Sequence, residues 1–194
     1  MRASSATNAR PCCIRVPDLL RAMAVRRLPG RGRGCGKRLP TVRLAAAVGM
    51  GGRVYAVDIV PDVLQRLRDR VSKASLANVV VIEGTASDPR LPLGAVDAIV
   101  MVNAYHEVTD TTAVLGAFHG ALKQGGRLVL CEPRPTSADT SRVEQVKSRV
   151  LSPELIAQEL TAAVFEITSR DHDFTANPSG GQNAPYSLVV ATKR

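Results

Sequence analysis

Short β-branched runs alternate with helix-like segments along most of this chain of 194 residues, and this alternation constrains its fold more than any other feature. One run, Val96 to Val102, is almost continuously apolar, which is typical of a strand buried on both faces of a parallel sheet. Other strands are predicted at 53–59, 79–82, 127–132, 165–169 and 187–192. The order of strands and helices predicts an α/β fold with a doubly wound, mostly parallel sheet.

The two last predicted strands are separated by a polar loop with no helical pattern. Two strands joined without a helix must pair as a hairpin, so we expect one edge strand of the sheet to run antiparallel.

The helix starts carry their own signals. Pro61 suits the first turn of a helix, Asp110 can cap another, and Ser152-Pro153-Glu154 combines a hydroxyl cap, a proline and an acid.

The net charge of +9 is concentrated at one end of the chain. Residues 1–43 contain eleven lysines and arginines and one acidic residue, whereas the remaining residues contain fifteen basic and sixteen acidic ones. We therefore divide the chain into a basic Arg/Gly/Pro-rich segment, residues 1–40, and one folded domain, residues 41–194. We expect the basic segment to be poorly ordered or degenerate.

The composition disfavours several functional classes. No apolar run approaches the roughly 20 residues that span a bilayer, and the N-terminus lacks the apolar core of a secretory signal. The four cysteines form no C-x-x-C pair, so we predict no metal site and expect free thiols in a reducing cytoplasm. The basic segment contains no aromatic residue for base stacking, which disfavours nucleic acid as a partner.

Asp58 stands at the end of the predicted strand 53–59. Ligands of open parallel sheets lie beyond the carboxyl ends of the strands. A carboxylate in that position can accept hydrogen bonds from both hydroxyl groups of a ribose. The same position also suits an acid that only caps a helix or holds a loop, so position alone leaves both roles open.

The chain resembles the class I S-adenosylmethionine-dependent methyltransferases in four stretches that follow in the same order and spacing. They are LAAAVGMGGRVYAVDIVPDVL, GTASDPRLPLGAVDAIVMVNAYHEV, ALKQGGRLVLCEPR and SPELIAQELTAAVFEI. The resemblance covers residues 41–194 and is greatest to the quinone-biosynthesis and arsenite methyltransferase-like group. It implies a Rossmann-like fold, S-adenosylmethionine as the cofactor, and transfer of a methyl group to a small-molecule acceptor.

The resemblance also implies cofactor contacts at the ends of three strands. These are Asp58 and Ile59 for the ribose and adenine, Gly84, Thr85 and Ala86 for the adenine pocket, and Asn103, Ala104 and Tyr105 for the methionine portion and the transferring methyl. Many members of the family have an acid where Thr85 stands. Threonine replaces that contact only in part, so Asp88 is the alternative partner of the adenine amino group.

His106 and Glu107 follow in the same predicted loop and are the candidate catalytic residues. Methyl transfer from a sulfonium is an in-line displacement, so the enzyme mainly aligns and desolvates the reactants. A base helps when the acceptor is a hydroxyl or a thiol, and histidine is a common general base. The alternative is a histidine that packs or hydrogen-bonds within the loop.

The glycine loop expected of this family lacks its usual setting. Gly32, Gly34 and Gly36 mimic its spacing and are the candidate contacts, but arginines and prolines precede them instead of a hydrophobic strand. Read one base later, one codon choice for residues 30–39 gives Val-Ala-Asp-Val-Gly-Ala-Gly-Asn-Gly-Tyr, a family-type strand and loop. A local frameshift between two compensating indels would explain the segment. An unrelated Arg/Gly-rich tail is the alternative.

Upstream of this segment, residues 19–26 (LLRAMAVR) resemble the family's leading helix.

Three functions then compete. The first is S-adenosylmethionine-dependent methyl transfer to a small molecule. The second is a catalytically impaired methyltransferase-like protein, because the altered segment is the one that would approach the cofactor. The third is an RNA-binding or RNA-modifying protein that uses the basic N-terminal arm.

Overall fold

The structure, a computed structural model, describes residues 24–25, 41–136, 140–175 and 185–194. Its helices and strands are β1 (Ala24–Val25), α1 (Thr41–Val48), β2 (Val54–Asp58), α2 (Pro61–Lys73), β3 (Val79–Glu83), β4 (Val96–Val102), α3 (Thr111–Ala121), β5 (Leu122–Pro133), α4 (Arg142–Lys147), α5 (Pro153–Ala162), β6 (Phe165–Thr175) and β7 (Tyr186–Lys193). A 3-10 turn, Tyr105–Glu107, follows β4, and we call it the tip turn. None of the helices described is long and apolar enough to cross a membrane.

The strands form two hydrogen-bonded sheets that meet at β1. In the first sheet β1, β2 and β3 pair in parallel, and in the second the order is β4, β5, β7, β6, with β4 and β5 parallel. Because β1 also contacts β4, the seven strands lie in the order 3-2-1-4-5-7-6. The strand order reverses between β1 and β4, which is the switch point of a doubly wound fold. The predicted α/β architecture is confirmed.

The closing hairpin is also confirmed, since β6 and β7 pair antiparallel. The expectation that the antiparallel strand would lie at the edge is wrong. β7 pairs antiparallel with β5 as well, so it lies between β5 and β6. Burial explains the order, because Ser187, Val189 and Ala191 of β7 are fully buried, whereas residues 168–172 of β6 are exposed and mostly polar. Polar residues suit the strand that keeps an unpaired edge.

The predicted helix starts are confirmed by their hydrogen bonds. The Asp110 carboxylate accepts from the N–H of Ala113 at 2.9 Å, and the Ser152 hydroxyl accepts from the N–H of Leu155 at 3.2 Å. α2 carries Pro61 in its first turn. Local capping chemistry therefore sets where these helices begin.

The main core lies between the second sheet and the helices α3 and α5. Its fully buried members include Ile99, Leu115, Phe118, Leu122, Leu128, Leu130, Ile156 and Leu160. Residues of this size that are completely removed from water stabilise a domain most. The core therefore holds the carboxyl ends of β4 and β5 rigidly beneath the site described below.

β1 occupies the central position of the sheet. Ala24 and Val25 lie opposite Ala56 and Val57 of β2. The expectation that residues 19–26 form a helix is wrong at these two positions. A strand is favoured there because two small or β-branched residues pair with β2, whose edge would otherwise be open.

The segment after β1 was predicted not to supply a regular central strand. Residues 26–40, which include Gly32, Gly34 and Gly36, lie outside the described residues. The proposed frameshift falls in the same segment. The division into residues 1–40 and 41–194 therefore stays a prediction.

Candidate active site

A cleft opens at the carboxyl ends of β2, β3 and β4, beside the switch point. Its walls are mostly apolar and are formed by Val57, Asp58, Ile59, Thr85, Ala86, Pro89, Met101, Ala104, Val108, Val114 and Phe118. Five of the predicted cofactor contacts thus lie in one cleft. They are Asp58, Ile59, Thr85, Ala86 and Ala104.

Asp58 ends β2 and is 3% exposed. Its Oδ1 atom accepts hydrogen bonds from the N–H groups of Ile59 at 2.8 Å and Val60 at 3.0 Å. The carboxylate therefore lines the cleft and also holds the turn that leads into α2. Both roles left open by the sequence are compatible with this geometry, because a carboxylate has capacity for several donors.

Gly84 begins the loop after β3 and donates its N–H to the carbonyl oxygen of Asp58 at 3.0 Å. A Cβ atom at this position would lie 3.0 Å from Cγ1 of Val57 and 3.1 Å from the carbonyl oxygen of Asp88. Such contacts are too close for an unstrained side chain, so glycine allows the loop to approach β2. Gly84 directly precedes Thr85 and Ala86, which line the cleft, and is not itself part of the cleft wall.

The polar groups of Thr85 and Asp88 are engaged within their own loop. The Thr85 hydroxyl accepts from the N–H of Asp88 at 3.0 Å, and Oδ1 of Asp88 accepts from the N–H of Arg90 at 2.7 Å. Asp88 is exposed and is not part of the cleft wall. Their predicted contacts to an adenine amino group would compete with these hydrogen bonds and stay predictions.

Asn103 and Ala104 directly follow the end of β4. Asn103 has a φ of 51°, a left-handed conformation that asparagine tolerates better than most residues. Its N–H donates to the carbonyl oxygen of Cys131 at 2.7 Å. This bend turns the chain sharply and places Ala104 in the cleft wall.

The tip turn is buried beside the cleft. His106 is 1% exposed, and neither it nor Tyr105 belongs to the cleft wall. Nδ1 of His106 lies 2.6 Å from Oε2 of Glu132. The other oxygen of Glu132 accepts from the N–H groups of Ala104 at 2.6 Å and Tyr105 at 2.7 Å. Sequence reasoning missed Glu132, although it is an acid at the end of a predicted strand.

A second, partly buried network contacts Tyr105 and holds the other end of the tip turn. The Tyr105 hydroxyl donates to Glu159 at 2.7 Å, and Glu159 accepts from Nε of Arg142 at 2.6 Å. Arg142 also donates to the carbonyl oxygen of Val108 at 3.1 Å. Burial, followed by the negative charge of Glu159, raises the pKa of Tyr105 well above its usual range, so its hydroxyl stays protonated as a donor.

Glu107 forms an ion pair with Arg149 at the surface side of the tip turn. Its Oε1 atom lies 3.7 Å from Nε2 of His106, beyond hydrogen-bond distance. Within the described parts of the chain, neither Nε2 of His106 nor Oε2 of Glu107 has a hydrogen-bond partner, although both atoms are buried. Across the same parts, no three His, Cys, Asp or Glu side chains converge as a metal site would require.

The strand order and the position of the cleft define the class I S-adenosylmethionine-dependent methyltransferase fold. A SAM-dependent methyltransferase from Aquifex aeolicus superimposes with a TM-score of 0.68 at 20% identity, over 89% of this chain and 82% of the other. One from Methanosarcina mazei superimposes with a TM-score of 0.65 at 16% identity, over 89% and 92% of the two chains. Likenesses at this level of identity show the shared fold.

The sequence profile of the Methyltransferase domain family, Methyltransf_11, matches residues 33–130, about half of the chain. The chain belongs to this methyltransferase family. The predicted class and S-adenosylmethionine as its cofactor are thereby confirmed. The matched span begins ahead of Gly34 and Gly36, so it includes these two candidate glycines.

Two curated relatives point to one kind of chemistry. Demethylmenaquinone methyltransferase from Geobacillus sp. (strain WCH70) is 34% identical over 98 residues, which is 50% of this chain and 42% of the relative. The ubiquinone/menaquinone biosynthesis C-methyltransferase UbiE from Marinomonas sp. (strain MWYL1) is 31% identical over 114 residues, 57% of this chain and 45% of the relative. The match therefore spans less than half the length of these relatives.

Proposed function

We propose that this chain binds S-adenosylmethionine in the cleft and transfers its methyl group to a small-molecule acceptor. One observation carries the proposal: Asp58, Thr85, Ala86 and Ala104, contributed by three strand ends, meet in one cleft at the switch point. Apolar walls suit the faces of an adenine, and a carboxylate in the wall suits a ribose diol. When bound, this cofactor supplies a methyl group activated on a sulfonium.

Different residues of the cleft would bind different parts of the cofactor. Asp58 would accept from the ribose hydroxyls, and Ile59 and Ala86 would pack against the adenine. Asn103 and Ala104 would face the methionine portion. Residues 32–36, which form the glycine segment, would contribute further contacts to the cofactor.

His106 is the proposed base when the acceptor is a hydroxyl or thiol. Glu132 engages Nδ1, which leaves Nε2 as the nitrogen that can receive a proton. Because the imidazole is buried, an acceptor can reach Nε2 only if the tip turn opens. Glu107 lies beside Nε2 and would move with it. The alternative is that His106 only supports the turn.

We propose that the acceptor is a small aromatic ring of the quinol type. The names of the two curated relatives and the mostly apolar cleft wall support this class. We place the activity in the cytoplasm, where a thiol such as that of the buried Cys131 stays reduced.

Two measurements on the full chain test the proposal. Isothermal calorimetry with S-adenosylhomocysteine measures cofactor-site binding, and tritium transfer from labelled S-adenosylmethionine to a short-chain demethylmenaquinol measures the reaction. Saturable binding and transfer are expected. The absence of binding at millimolar ligand would overturn the proposal, whereas binding without transfer would retain the cofactor site and reject this acceptor.

A catalytically impaired methyltransferase-like protein is the second candidate. The feature that favours it is the glycine segment, in which arginines and prolines precede Gly32, Gly34 and Gly36 instead of a hydrophobic strand. Such a protein would bind S-adenosylhomocysteine and transfer no methyl group to any acceptor. The RNA-binding alternative predicts instead an affinity for RNA that falls steeply as salt increases.

A further inference from the structure

We propose that Glu132 is a positioning residue for methyl transfer. Its carboxylate fixes both the main chain of the cleft wall at Ala104 and the proton position on His106. The proposal rests on the function proposed above. It concerns a residue that lies outside the cleft and acts through its neighbours.

The hydrogen bonds of Glu132 form a complete set around one buried group. The side chain is completely buried, and its two oxygens receive two backbone N–H groups and one imidazole nitrogen at 2.6–2.7 Å. A buried carboxylate without donors would be strongly unfavourable. Three short, charge-assisted hydrogen bonds compensate for its burial and make this one of the most tightly held points near the cleft.

The pairing of β4 with β5 brings Glu132 next to the tip turn. Val102 of β4 lies opposite Cys131 of β5, and Glu132 is the next residue along β5. Glu132 itself lies opposite Ser187 of β7, so its backbone is held from the other side as well. The carboxylate therefore has a fixed position from which it can hold the end of β4.

The end of β4 needs such support because its backbone bends sharply. Asn103 lies in the left-handed region, which costs energy for a residue other than glycine and persists only where the surroundings impose it. The two N–H groups held by Glu132 belong to the next two residues. Loss of these bonds would release Ala104, the cleft residue that faces the proposed methionine portion.

Glu132 also determines the tautomer of His106. A carboxylate only accepts hydrogen bonds, so a neutral imidazole that contacts it through Nδ1 must carry its proton on that nitrogen. Nε2 is then the basic nitrogen. If a glutamine side-chain amide faced Nδ1 instead, the favoured proton position would move to Nε2.

The opposite end of the tip turn is held by a second network, which meets the Glu132 network at Tyr105. Val108, which also lines the cleft, is fixed through Arg142 and Glu159. A change at Glu132 should therefore act on the Ala104 side of the cleft and leave the Val108 side in place. This separation distinguishes a positioning role from a general contribution to folding.

The test compares Glu132→Gln with Glu166→Gln in the full chain. Glutamine at 132 keeps one oxygen acceptor and the volume of the side chain, whereas Glu166 is an exposed glutamate paired with Arg194. Nitrogen-15 NMR reports the His106 tautomer, and hydrogen exchange reports the N–H groups of Ala104 and Tyr105. Calorimetry and tritium transfer report affinity and turnover.

We expect Glu132→Gln to move the His106 proton to Nε2, to speed exchange of the two amides, and to lower turnover roughly tenfold or more. Glu166→Gln should match the wild type in every measurement. A folded Glu132→Gln protein with wild-type turnover, or with the wild-type tautomer and amide exchange, would overturn the proposal. A lower melting temperature alone, with the other readouts unchanged, would also overturn it.

A failure of the proposed function can be distinguished from a failure of the proposal for Glu132. If the wild-type chain does not bind S-adenosylhomocysteine, the proposed function fails. The NMR and exchange readouts then decide the positioning claim on their own. Unchanged readouts in Glu132→Gln reject it, and the expected changes support Glu132 as the residue that holds the end of β4.

Discussion

The ammonium group of Lys193 lies 2.7 Å from the carbonyl oxygen of His119, so the last strand of the chain is bonded to the C-terminal turn of α3. The same ammonium lies 2.9 Å from the carbonyl oxygen of Leu122. His119 lies in the last turn of α3, where a positive charge interacts favourably with the helix dipole. The contact therefore joins the terminal hairpin to a helix that lines the cleft.

We expect Lys193→Met to lower the free energy of unfolding by about 1–3 kcal/mol, because two charge-assisted hydrogen bonds are lost. Urea unfolding measures the change. The matched control is Lys123→Met, since Lys123 pairs with Asp97 at the exposed surface. The control should cost no more than about 1 kcal/mol. Equal losses in the two variants would contradict a capping role for Lys193.

The second prediction concerns pH. Burial, followed by the positive charge of Lys193, lowers the pKa of His119. The unfolded chain therefore takes up a proton near the ordinary histidine pKa of about 6.5, while the folded chain resists it. By linkage, the contribution to stability is complete above this pH and is lost as the pH falls below it. The melting temperature of the wild type should thus fall between about pH 7 and 5.

His119→Gln should remove this part of the pH dependence. The melting temperature measured at half-unit steps of pH should then fall less steeply than in the wild type. His172→Gln is the control, because His172 lies at the exposed surface opposite Glu154. The prediction is wrong if the wild type and His119→Gln show the same slope.

The third prediction concerns Asp58. Asp58→Ala should weaken binding of S-adenosylhomocysteine by about 1–3 kcal/mol, because the ribose diol would lose its charged acceptor. Asp58→Asn is the informative comparison, since it keeps an oxygen for the N–H groups of Ile59 and Val60. Calorimetry should show weaker binding in both variants, with the melting temperature better preserved in Asp58→Asn. Wild-type affinity in both would remove Asp58 from the cofactor site.

The fourth prediction concerns the end of α5. Val164 has a φ of 59° and is 67% exposed. A β-branched residue in the left-handed region costs roughly 1–2 kcal/mol, and few contacts at this exposed position compensate for it. Val164→Gly should therefore raise the free energy of unfolding by about 1 kcal/mol.

Val143→Gly provides the opposite control. Val143 is also exposed but lies within α4, where glycine is unfavourable by about 1 kcal/mol relative to alanine. Thermal unfolding should shift upward for the first variant and downward for the second. A downward shift for both would show that Val164 is not under backbone strain.

The fifth prediction concerns the glycine segment. If the frameshift hypothesis holds, the unmodified chain binds S-adenosylmethionine weakly or not at all, in contrast to the saturable binding that the proposed function predicts for an intact site. Placing Val-Ala-Asp-Val-Gly-Ala-Gly-Asn-Gly-Tyr in this region, with one residue deleted to correct the spacing, should restore binding and solubility, because a full strand would then present its loop amides to the cofactor. The same ten residues in scrambled order are the control. Micromolar affinity in the unmodified chain would refute the frameshift hypothesis.

The sequence predicted those parts of the structure that local chemistry determines. Asp110 and Ser152 start helices through bonds to residues three positions away, a spacing visible in the sequence. The short helix α4, which was not predicted, begins with the same kind of signal in the capping box of Ser141 and Glu144.

The site itself depended on contacts that the sequence does not display. His106 and Glu132 are separated by 26 positions, and Tyr105 and Glu159 by 54. Only the pairing of β4 with β5 and the packing of α5 bring these groups together. β1 was not predicted, because residues 19–26 resemble a helix of the family and were assigned to one.

The position of the cleft across β1 has a mechanical consequence. β1 pairs with β2 and contacts β4, so it forms the joint between the two sheets. The cleft lies across this joint, with Asp58 and Thr85 on one side and Met101 and Ala104 on the other. A ligand that touches both sides adds contacts between the two sheets and stabilises the folded chain when it binds. Occupancy of the cleft would then help to hold the two parts of the sheet together.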